Sequence, residues 1–121
     1  MHELSVCQAL LRQVAKLAEG RGASVVESIT IEVGPLCGVE PMLLASAFGI
    51  LRAGGCAAQA ALLIEETPVT IGCLNCGVQA QTAPSRLVCA ACGGFRIRIV
   101  AGDELRLRRV ELRAPASVSL A

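Results

Sequence analysis

Apolar residues recur at three- and four-residue steps from the start of the chain. Leu4, Cys7, Leu11, Val14 and Ala18 form one stripe, Leu10 and Leu17 widen it, and Ser5, Gln8, Arg12, Lys16 and Glu19 fall on the opposite side. That period predicts an amphipathic helix with one core face, stopped by Gly20 and Gly22. The pattern then changes to strict alternation. Ile29, Ile31 and Val33 are interleaved with Ser28, Thr30 and Glu32, which predicts a half-buried strand closed by Gly34-Pro35. A second helix follows in VEPMLLASAFGILRAGG. Pro41 suits its first turn, Leu44, Phe48 and Leu51 share a face, and Gly54-Gly55 ends it. AALLIEET reads as a short second strand.

From Val69 to Arg96 the helical period vanishes and two cysteine pairs appear. A piece this short cannot fold on an apolar core alone. FRIRIV leaves it as a strand, AGDE turns, and LRLRRVEL returns as another. The apolar phase slips in this last strand, because Leu105 and Leu107 are odd while Val110 and Leu112 are even. One extra residue near Arg108-Arg109 predicts a β-bulge or kink, and RAPASVSLA reads as a frayed tail. The last strand must rejoin the sheet of the first two. The expected fold is therefore α+β, a small, mostly antiparallel three-stranded sheet with two helices plus an inserted four-cysteine, zinc-ribbon-like lobe. Residues 1–68 and 97–121 would form the body and residues 69–96 the lobe.

Composition narrows the function classes. A chain of 121 residues suits one domain with a small lobe, and 54% hydrophobic with only 2% aromatic residues requires an aliphatic core. A net charge of +1 gives no basic field for nucleic acid. No apolar run approaches the length of a membrane span, and no signal peptide is recognisable, so membrane insertion is not expected and the expected location is cytoplasmic. There is no base beside a nucleophile, no Gly-rich phosphate loop and no recognisable pair of acids, so no enzyme is expected.

The seven cysteines are an odd count, and in a reducing compartment pairs at two-residue spacing read as metal ligands rather than disulfides. CLNCG and CAACGG place Cys73, Cys76, Cys89 and Cys92 as C-x2-C-x12-C-x2-C. Four thiolates at this spacing suit one tetrahedral ion, zinc before iron, in a closed and hence structural site. Gly77 and Gly93 allow tight turns that bring backbone amides toward the sulfurs. Cys7 lies on the helical core stripe and reads as a packing residue. A different reading of the lobe is a zinc-ribbon protein-interaction or nucleic-acid-binding module. That needs a basic, aromatic face, and the ribbon offers Arg86, Arg96 and, two residues past the lobe, Arg98 but one aromatic, Phe95.

The only histidine is His2. The Met1 amine and the His2 amide nitrogen can chelate an ion in a five-membered ring. The His2 imidazole closes a six-membered ring, and the Glu3 amide lies one peptide further on. Nickel(II) and copper(II) both accept such nitrogen donors. The imidazole must be neutral, so binding should weaken as pH falls through about 6.5.

Four stretches together, MHELSVCQAL, IEVGPLCGVEP, the paired CLNCG and CAACGG, and GDELRLRRVEL, resemble the HypA/HybF family of hydrogenase maturation factors over roughly residues 1–112. The resemblance implies a nickel metallochaperone that delivers its ion to the large subunit of [NiFe]-hydrogenase, works with a nickel-binding GTPase, and in some organisms contributes to urease maturation. It implies nickel ligation at Met1, His2 and Glu3 and structural zinc at Cys73, Cys76, Cys89 and Cys92. The chain departs from the family pattern at Cys37, where serine is common, Met42, where glutamate is common, and Gly49, where an acidic residue is common. The lobe also lacks histidine.

Overall fold

The computed structural model describes residues 3–113. The ligands expected at Met1 and His2 and most of the expected frayed tail lie outside this range. Two helices, α1 (Glu3–Gly20) and α2 (Pro41–Leu51), accompany six strands: β1 (Val25–Val33), β2 (Ala61–Glu66), β3 (Val69–Cys73), β4 (Gln79–Thr82), β5 (Ile97–Ala101) and β6 (Leu105–Arg113). The strands form two three-stranded sheets, ordered β2-β1-β6 and β4-β3-β5. The first is the sheet expected from the alternation, with the last strand returned beside the first. The second joins β5, the strand expected in FRIRIV, to β3 and β4 of the cysteine-bearing region, where no strand is expected from the sequence.

The chain divides into two compact units. One holds Val39–Ile64 with the chain up to Ile31 and from Leu107 onward. Its core is aliphatic. Cys7, Val14 and Ala18 of α1, Val26, Ile29 and Ile31 of β1, and Leu44, Ala47 and Phe48 of α2 are all buried. The buried stripe of α1 is narrower than its period suggests, since Leu4 is 51% and Leu17 44% exposed. Glu40 caps α2, its side chain accepting from the Met42 amide, and Pro41 fills the first helical position, where its missing donor costs nothing. At the other end Arg52 lies over the Phe48 ring and donates to the Ala58 and Ala60 carbonyls, pinning the connection to β2.

Strand β1 departs from the half-buried expectation. Ser28 and Thr30 are buried along with their apolar neighbours, because β1 is the central strand and both of its flanks are occupied. The Ser28 hydroxyl donates to the Glu111 carboxylate of β6, and no buried side-chain nitrogen or oxygen among the described residues lacks a partner. The expected slip in β6 is visible in its burial. Leu105, Leu107, Val110 and Leu112 are half-buried, and the consecutive exposed pair falls at Arg108 and Arg109.

The second unit comprises Glu32–Gly38 and Glu65–Arg106. Strand β3 is its centre, with Val69, Ile71 and Cys73 almost fully buried. It pairs antiparallel with β4 and β5, and a bulge against β5 falls between Thr70 and Ile71. Two glycines let the chain cross itself here. The Gly34 amide donates to Glu104 and the Leu36 amide to Gly102, and a Cβ on Gly34 would overlap the Gly102 carbonyl group. Gly102 itself takes a φ of 108°, reserved for glycine.

Gly34→Ala is therefore expected to lower stability by about 1–3 kcal/mol through overpacking against backbone. Gly49→Ala, on the open side of α2 with no atom near its Cβ, should raise it by roughly 0.5–1 kcal/mol. Chemical denaturation of both variants checks the pair.

Candidate metal centre

The cysteine-bearing region repeats one local structure twice. In the first half the Cys73 amide donates to the Val78 carbonyl and the Gly77 amide to the Cys73 carbonyl; in the second the Cys89 amide donates to Gly94 and the Gly93 amide to Cys89. Both loops thus use the same offsets, four and five residues past the first cysteine. The reversal in each needs a left-handed residue, supplied by Gly77 at φ 76° and Gly93 at φ 74°. Leu74 N–H to Arg96 C=O, 2.9 Å, ties the first loop to the start of β5.

The two loops bring four sulfurs together. Cys73, Cys76, Cys89 and Cys92 place their Sγ atoms within 4.8 Å of one another, and no other group of three or more candidate ligands occurs among the described residues. The Cys73–Cys92 and Cys76–Cys89 sulfurs are each 3.6 Å apart. A tetrahedron of zinc–sulfur bonds has edges of about 3.8 Å, so the donor set and its spacing fit a zinc ion. In each pair the first cysteine is buried and the second exposed, which roots the site in the fold and turns its outer side to solvent.

The surroundings act unequally on three of the thiols, Cys73, Cys76 and Cys92. The Cys76 amide, 3.4 Å from the Cys73 sulfur, is the largest influence on Cys73, opposed by burial and helped by the Asn75 amide, and it draws the thiol down to about 6. At Cys76 the Val78 amide pulls downward, but the Cys73 and Cys89 sulfurs and burial outweigh it and push the thiol up to about 11. Cys92 is likewise raised, with the Gly94 amide overcome by its sulfur neighbours. One thiolate forms readily and the next ones resist, which is how crowded sulfurs behave until a cation offsets their charge. Sequence reasoning missed Asn75. A Cβ on Gly94 would lie 2.9 Å from the Asn75 side-chain Nδ2 and 3.3 Å from the Cys92 sulfur, so Gly94 makes room for both side chains. Only the adjacent glycines in CAACGG signalled so close an approach.

The three other cysteines stay apart from this centre. Cys7 is buried and desolvation raises its thiol, in keeping with a packing role. Cys37 and Cys56 are half-buried.

Of the expected nickel ligands, only Glu3 lies in the described range. It opens α1, and its carboxylate accepts from the Glu40 amide at 3.1 Å. That bond ties the first residue of α1 to the residue capping α2. Sequence reasoning did not single out Glu40, although an acidic residue directly before Pro41 is a recognisable cap. No helix among the described residues is long and apolar enough to cross a membrane.

A two-helix, two-sheet chain with a four-thiol centre of this kind is a small zinc-site metalloprotein. The model of the HypA family, described as hydrogenase/urease nickel incorporation, metallochaperone, matches residues 1–112. The chain belongs to the HypA family of nickel metallochaperones. It is 41% identical over 112 residues to the hydrogenase maturation factor HypA of Nitrosospira multiformis, covering 93% of this chain and 97% of that one. It is 33% identical to the HypA of Aquifex aeolicus with the same coverage. The solution structure of the Ni metallochaperone HypA from Helicobacter pylori superposes with a TM-score of 0.70 at 27% identity, covering 95% of this chain and all of that one.

Cys73→Ser should cut zinc from about one ion per chain to a small fraction, with loss of order in β3 and β4. Elemental analysis and amide exchange check this, and full retained zinc would refute the four-sulfur assignment.

Proposed function

We propose that this chain binds nickel(II) at its amino terminus and hands it on for the maturation of [NiFe]-hydrogenase. The observation that carries this reading is the match of a nickel-incorporation family across residues 1–112, a span that includes Met1, His2 and Glu3. The ligands in this reading are the Met1 amine, the His2 amide and imidazole, and the Glu3 amide. The Glu3–Glu40 bond supports it, because it gives the last of these residues a fixed seat. Zinc is held by Cys73, Cys76, Cys89 and Cys92 as architecture, in a lobe of residues 69–96 set into a body of residues 1–68 and 97–121. The two sites divide by ligand chemistry. Thiolates retain zinc strongly, while nitrogen donors suit an ion that must be released.

In this reading the chain works in the cytoplasm and catalyses no covalent step. Its partners are a nickel-binding GTPase maturation factor and the hydrogenase large subunit. The same geometry gives no support to a nucleic-acid ribbon, since Phe95 stands alone as the exposed aromatic among the described residues of the lobe.

Nickel titration of the zinc-loaded protein tests the proposal. His2→Ala, and a version with one residue added before Met1, should each lose tenfold or more in affinity while zinc content and melting stay unchanged. Three equal isotherms would overturn the terminal site. The imidazole and the Met1 amine bind metal only when neutral, so with ordinary pKa values near 6.5 and about 7.7–8 the affinity should fall at least tenfold per pH unit below about 7.7 and at least a hundredfold per unit below 6.5, more steeply still where amide nitrogens lose protons on binding. Isothermal titration at pH 7.5, 6.0 and 5.0 reads this slope.

A further inference from the structure

A groove of about 650 Å³ runs beside α1, lined by Gln13, Leu17 and Arg21 of that helix, by Glu27, and by the unbroken run from Leu107 to Leu112. Six consecutive residues of one strand can line a groove only if it follows the backbone rather than crossing a face. Strand β6 ends its sheet, and among the described residues no strand pairs with its outer side. That outer edge offers a row of main-chain donors and acceptors beside the groove.

Its side chains divide by face. Leu107, Val110 and Leu112 are half-buried, and Leu17 of α1 is 44% exposed toward the same groove. Arg108 and Arg109 stand exposed on the other face of the strand, and Arg21 is exposed at the helix side. The two acids of the lining are already engaged. Glu27 pairs with Arg113 at 3.5 Å, and Glu111 accepts from Ser28. The surface thus combines a backbone edge, an apolar trough and a cationic rim.

We propose that the outer edge of β6 takes an extended peptide of a partner protein as an added strand, one that alternates apolar and acidic side chains. Apolar residues of the added strand lie in the trough with Leu17, Leu107, Val110 and Leu112, and acidic ones lie beside Arg108 and Arg109. Six residues of β6 span about 20 Å, so the paired segment is five or six residues long. Charge excludes a second copy of this chain as the occupant. The sequence LRLRRVELR carries four arginines and one glutamate, and pairing it with itself would set cations against cations. The proposal is independent of nickel binding.

The test uses the full zinc-loaded chain and three labelled ten-residue peptides. One alternates valine and glutamate, one alternates valine and lysine, and the third is the first with proline at two adjacent central positions, so that an N–H facing β6 is lost in either register. Fluorescence anisotropy should show the valine–glutamate peptide binding at least tenfold tighter than the valine–lysine peptide, with the proline peptide not binding. Arg21→Glu/Arg109→Glu, both at exposed positions, should abolish or invert the preference. Amides of β6 should gain exchange protection on binding. Equal affinity for the two alternating peptides, unchanged binding by the double variant, protection confined to other elements, or full binding of the proline peptide would each overturn strand addition. Sedimentation showing a dimer that protects the same amides without peptide would assign the edge to a second copy and overturn the proposal as well.

Discussion

Negative charge concentrates where four sulfurs lie within 4.8 Å of one another, and only a cation among them lets all four ionise together. The rest of the second unit leans on that constraint. Its strands are four or five residues long, and its buried side chains amount to little more than Val33, Val69, Ile71, Cys73 and Cys89. So small a core does not fold unaided, and a metal link supplies what it lacks. Cys73 belongs to the four-sulfur cluster and is also the last residue of β3, so the cluster and the sheet meet at one residue. The glycines of both loops carry the same requirement in backbone form, since no other residue turns the chain tightly enough to aim amides at the sulfurs.

The one-residue slip in β6 has a consequence beyond geometry. It sets Arg108 and Arg109 side by side in exposure while keeping Leu107, Val110 and Leu112 half-buried together. An edge strand so loaded with cations resists pairing with its own kind, a common protection for exposed edges. The same loading favours an acidic neighbour. Protection against self-association and selectivity for a partner thus follow from one irregularity.

In the proposed function, the division of labour between metals follows from donor chemistry. Sulfur sites that are closed by four protein ligands have no open position for exchange. A cargo ion is better served by a chain end, where few groups move on release. The Glu3–Glu40 hydrogen bond ties Glu3 to the residue that caps α2.

Much of this was legible in the sequence. Periods of 3.6 and 2 marked both helices, the strands β1 and β6, and even the phase slip at Arg108-Arg109, because an apolar core selects which positions of an element are hydrophobic. The cysteine spacing marked the four-sulfur centre, because a tetrahedral ion dictates which residues must meet. Other features belong to the tertiary structure alone. Strand β4 has Ala80 as its one apolar residue, and in β3 the alternation of Val69, Ile71 and Cys73 is too short, and too near the cysteine motif, to announce a strand. The burial of Ser28 and Thr30 depends on β1 being central. The Glu3–Glu40 bond, the Gly34–Gly102 crossing and the groove along β6 join residues 37, 68 and about 90 positions apart. Local pattern decides which face of an element is apolar; only the closing of the chain on itself decides what that face, or an edge left over, will meet.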